Sequence, residues 1–85
     1  MSELTTKIGE NIKEFRKRAG LNQYELAEKI GINNITMSKV EKGSEALKVV
    51  TIEKAAKELG VQFEQIVFGE DAIVLNDSII KKLRG

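Results

Sequence analysis

The 85-residue chain contains no cysteine, histidine, proline or tryptophan, and only 5% of it is aromatic. Without cysteine there are no disulfides, thiolate metal ligands or thiol nucleophiles. Without histidine it lacks the commonest general base, the commonest metal ligand and the side chain that titrates near neutrality. A hydrolytic triad or a zinc site cannot be assembled from this alphabet. Carboxylate-only chemistry is a poor prospect in so short a chain. The expectation is therefore a protein that binds and is not an enzyme, with no cofactor and no metal. No apolar run approaches the ~20 residues needed to span a bilayer. Apolar and charged residues alternate near the N-terminus, so neither a membrane nor a signal peptide is expected, and the expected location is cytoplasmic.

What is present suits one soluble domain: 41% hydrophobic and 32% charged residues, in a chain too short to divide. Fourteen basic against thirteen acidic residues give a net charge of +1. That total is a sum over unlike regions. Residues 1–43 hold eight basic and six acidic side chains, residues 44–71 hold three and six, and residues 72–85 hold three and one.

With no proline, glycines and polar caps must set the boundaries. Gly20, Gly31, Gly43, Gly60 and Gly69 each follow a stretch of helical apolar spacing. Leu4, Ile8, Ile12, Phe15 and Ala19 share one helix face. Gly9 sits inside that helix, where it costs ~1 kcal/mol against alanine, and is expected to admit another backbone closely. Asn22 and Glu25 have capping-box spacing and open a second helix, with Leu26, Ala27 and Ile30 as its apolar stripe. Asn33 caps a third helix running to about Lys42, with Met37 and Val40 inward. Val49, Val50, Ile52, Ala55, Ala56 and Leu59 mark a fourth helix with a weak start at Lys48, and Val61, Phe63, Ile66 and Val67 mark a fifth after a weak cap at Gln62. Beyond it, 72–75 can be read as a strand and 78–84 as a short helix.

Two short helices joined through Gly31 and Ile32, with a small residue at Ala27 where they cross, make a helix-turn-helix pattern. Here the chain resembles the Xre/Cro-type helix-turn-helix family, the lambda-repressor-like domains of bacterial and phage regulators. The matching residues are Ile8-Gly9, Arg16, Gly20-Leu21-Asn22-Gln23, Glu25-Leu26-Ala27-Glu28-Lys29-Ile30-Gly31, Val40-Glu41-Lys42-Gly43 and Lys57-Glu58-Leu59-Gly60-Val61. The resemblance covers about residues 7–69. It implies an all-α, five-helix domain over 1–69, with 70–85 as a C-terminal extension.

The resemblance also implies roles for particular residues. The third helix would enter the major groove, offering Asn33, Asn34, Ile35, Thr36, Ser38 and Lys39. Asparagine can bond an adenine edge through two atoms, lysine can donate to guanine, and Ile35 can meet a thymine methyl. Gln23 would hold a phosphate and brace the reading helix, with Tyr24 beside it. Lys42 and Lys48 flank the loop that follows the backbone. Ser44-Glu45-Ala46-Leu47 departs from the family there, and Glu45 would face phosphate unfavourably. Arg16 and Glu41 match a structural ion pair.

The C-terminal apolar residues exceed what one small core can bury. Val67, Phe68, Ile73, Val74, Leu75 and Ile79 are expected to form a dimer interface. The expected function is a sequence-specific DNA-binding transcriptional regulator. It would bind double-stranded DNA as a homodimer, on a partly palindromic operator and as a repressor. The alternative is an antitoxin or other interaction module of the same fold, with its tail on a partner protein such as a toxin or an antirepressor.

Overall fold

A computed structural model describes residues 2–44 and 47–71. These form five helices: α1 (Glu3–Arg18), α2 (Gln23–Ile30), α3 (Asn34–Glu41), α4 (Val49–Leu59) and α5 (Phe63–Phe68). There is no strand among the described residues. The strand read at 72–75 and the helix at 78–84 lie outside them.

The helix starts follow the local chemistry. Ser2 and Thr5 cap α1 reciprocally, each hydroxyl accepting the other's backbone N–H at 3.1 Å. Asn22 and Glu25 do the same for α2, at 2.8 and 2.9 Å. Asn33 Oδ1 accepts the Thr36 N–H at 2.7 Å and starts α3. Lys48 caps α4 with no side-chain bond. At α5, the Gln65 side chain accepts the Gln62 backbone N–H at 2.9 Å. Gly31 supplies the left-handed residue (φ +78°) that ends α2 and lets the chain turn into α3.

Every helix feeds one core, in which Ile12, Leu26, Met37, Val40 and Ile66 are the largest fully buried side chains. Burying each contributes roughly 1.5–3 kcal/mol against leaving it in water. The inward set of α1 is Ile8, Gly9, Ile12 and Arg16. Leu4 and Ala19, expected on that face, are exposed because the core ends a turn inside each of them. Val49 and Val50 are likewise exposed at the first turn of α4, whose buried stripe begins at Thr51 and Ile52.

The tightest approach joins α1 to the end of α3. A side chain at Gly9 would stand 2.5 Å from the Glu41 carbonyl oxygen and 2.8 Å from the Gly43 nitrogen. Gly43 itself has φ +76° and faces the Thr5 backbone, so it serves as both turn and contact. Asn11 Nδ2 donates to the Ile66 carbonyl at 2.9 Å and ties α5 to α1. The C-terminal end of α3 is thereby fixed against α1.

Candidate nucleic-acid interface

Because α3 turns about 100° per residue, side chains two apart point to nearly opposite sides. Met37 and Val40 are fully buried, and this rotation leaves Asn34, Ile35 and Lys39 outward. Ile35 is 71% exposed, a branched apolar side chain left largely uncovered by the described residues. Thr36 and Ser38 are half-buried and flank the outward stripe. Lys42, the C-cap of α3, and Lys48 are exposed at either end of the connection to α4. Glu45 lies outside the described residues.

The two asparagines at the helix start are not equivalent. Asn33 uses one lone pair of its side-chain oxygen on the α3 cap, which fixes the orientation of the oxygen and the amide nitrogen it could offer an external partner. Reading an adenine edge through two atoms needs both. Asn34 is exposed, and none of the hydrogen bonds among the described residues uses its side chain.

Behind the stripe lies a buried ionic network. Arg16 Nε donates to Glu41 Oε2 at 2.6 Å and Arg16 Nη2 to Glu41 Oε1 at 3.1 Å, a two-pronged pair with side chains only 9% and 4% exposed. Arg16 Nη1 donates to the Leu21 carbonyl at 2.9 Å. Arg16 stands one turn beyond Ile12 on the apolar stripe, so burial of the guanidinium follows from the register.

Gln23 Nε2 donates to Glu41 Oε1 at 3.2 Å. Sequence spacing did not show this contact, which spans 18 positions. It leaves the second amide hydrogen of Gln23 available outward, beside the start of α2. Tyr24, next along, is exposed. One rigid cluster therefore joins α1, the α2 start and the α3 end. It sets the position of Gln23 relative to the outward face of α3.

Of the dimer residues read from sequence, Val67 is half-buried against the core and Phe68 is 74% exposed. Ile73, Val74, Leu75 and Ile79 lie outside the described residues. No metal-ligand cluster occurs among the described residues, and no helix there is long and apolar enough to cross a membrane.

The chain is similar to known proteins. A helix-turn-helix family model matches residues 12–66. The chain is 33% identical over 73 residues to the cryptic phage CTXphi transcriptional repressor RstR of Vibrio cholerae, covering 86% of this chain and 65% of that protein. It is 34% identical over 67 residues to the antitoxin PezA of Streptococcus pneumoniae, covering 79% of this chain and 42% of that one. An HTH-type transcriptional regulator of Methanothermobacter thermautotrophicus is 35% identical over 57 residues, 67% of this chain and 83% of its own. The chain thus spans less than two thirds of the repressor and under half of the antitoxin. Among solved structures, a hypothetical transcription factor NHTF from Neisseria superposes with a TM-score of 0.71 at 30% identity, over 95% of this chain and 85% of that one. The chain belongs to the Xre-type helix-turn-helix family.

Proposed function

We propose that the chain is a sequence-specific DNA-binding transcriptional regulator, acting as a homodimer on a partly palindromic site and repressing by occlusion. The carrying observation is the outward face of α3. Asn34, Ile35 and Lys39 stand clear of the fold, while Met37, Val40 and the Arg16–Glu41 pair hold the opposite face. In this reading Asn34 reads an adenine edge, Ile35 meets a thymine methyl and Lys39 donates to guanine. Asn33, Thr36 and Ser38 line the groove wall. Gln23 takes a phosphate with its free amide hydrogen, and Tyr24, Lys42 and Lys48 meet the backbone on either side.

Residues 1–69 are the DNA-binding unit, and 70–85 with Phe68 are the dimerisation element. A two-fold protein on a two-fold site doubles the contacts of one reading helix. No ligand or metal is required.

An antitoxin reading is supported by the 34% identity to PezA over 79% of the chain. It differs in giving the C-terminal segment to a partner protein.

A gel shift of the full chain on the DNA upstream of its own gene tests the first reading. Retarded complexes that fade between about 50 and 200 mM salt are the expected result. A chain that shifts no DNA across that range would be an interaction module alone.

A further inference from the structure

Glu28 stands four residues after Tyr24, on the same face of α2. It lines the shallow notch between α2 and the start of α3, with Tyr24, Ala27, Ile32, Asn33 and Asn34. The polar groups of those neighbours are neutral, and Glu28 is exposed. None of the ion pairs among the described residues includes it. A carboxylate without a direct ion-pair partner among the described residues, although Lys29, Lys54 and Lys57 line the adjoining depression with it, thus sits between the residue assigned to the sugar-phosphate backbone and the residue assigned to a base.

We infer that Glu28 is an affinity-limiting residue. Its charge holds down the sequence-independent attraction of the α2–α3 unit to phosphate, so that base contacts dominate recognition. The inference rests on the DNA-binding reading above. A carboxylate beside a bound phosphate backbone repels it through water, and salt screens the repulsion over about 8–10 Å. At a separation of about 4–10 Å in water, such a repulsion corresponds to about a two- to fivefold loss of affinity, the same on any sequence. The chain has little bulk attraction to offset it, with a net charge of +1.

The test is fluorescence anisotropy with two duplexes, one random and one enriched by selection with the wild-type chain, at several salt concentrations. Glu28→Gln is expected to tighten both by a similar factor of about two to five. Glu28→Lys is expected to tighten both further and to steepen the salt dependence by about one unit of log–log slope. Unchanged affinity in Glu28→Gln would overturn the inference while leaving the DNA-binding reading intact. So would weaker binding of the selected duplex alone, which would make the carboxylate a base reader. A wild-type chain that binds neither duplex would overturn both.

Discussion

Two arginines stand two residues apart on α1 and do different work. Arg16 is buried, held by both oxygens of Glu41 and by the Leu21 carbonyl. Arg18 is exposed and reaches Glu70 at 2.8 Å and Glu14 at 3.5 Å, lying 5.5 Å from the Phe15 ring centre. The side chains of the first pair are 9% and 4% exposed, those of Arg18 and Glu70 48% and 59%. Water screens the second pair and repays its loss, whereas removing one member of the first strands a charge in the core. The hydrogen bond and charge of Glu70 raise the Arg18 pKa above its ordinary value. A raised basic pKa adds stability that is lost only as pH rises through it. For arginine that lies far above neutrality, so the pair gives no pH switch in the working range. One residue type on one helix thus fixes the end of α3 in one place and trims a surface in the other.

The largest effect is expected where the buried pair is broken on one side. Glu41→Ala should cost about 3–5 kcal/mol in chemical denaturation, much of the total stability of a small domain. It should weaken DNA binding although Glu41 is buried away from the outward face of α3. The double variant Arg16→Met with Glu41→Leu should recover most of the stability, because no charge is then left unpaired. Recovery of affinity would fall short, since Gln23 loses the acceptor that orients it. If Glu41→Ala melted and bound like the wild type, the contrast between the arginines would collapse.

Gly9→Ala comes next, at roughly 1–3 kcal/mol, because the new methyl meets the Glu41 backbone and not a yielding side chain. Thermal melts read it directly. Ile35→Ser should leave the melting curve within about 0.5 kcal/mol of wild type. It should lose about 1–3 kcal/mol of discrimination at one thymine-bearing position, read by competition binding. Smallest of all, Arg18→Ala and Glu70→Gln should not move the melting temperature or DNA affinity measurably. A clear loss in either would show that the exposed pair carries structure that its solvent exposure does not suggest.

The helices were legible because their signals are local. Asn22 and Glu25, Asn33, Gly31 and the stripes at Leu26–Ile30 and Met37–Val40 each act within a turn or two. Gly9 announced a close approach but not its partner, since the approaching backbone belongs to Glu41 and Gly43, over 30 residues on. The exposure of Leu4, Val49 and Val50 was hidden for a related reason. Periodicity shows which face a residue occupies but not where along the helix the core ends. In the candidate site, the outward direction of Ile35 follows from its register against Met37. The Gln23–Glu41 bond and the use of the Asn33 oxygen in the cap depend on how side chains meet in space, so only the folded structure displays them. The Arg16–Glu41 pair was reached through family resemblance. Spacing alone shows only that a charge falls on an apolar stripe.

In the proposed reading, α3 reads base edges from a frame fixed at its other end. Selection of bound sequences from random DNA, run in parallel on the wild-type chain and Asn34→Ala, tests it most directly. The expected result is a two-fold site for the wild type, with an adenine and a neighbouring thymine in each half, and loss of the adenine preference in the variant. No enrichment by the wild type, or an unchanged site for Asn34→Ala, would contradict it.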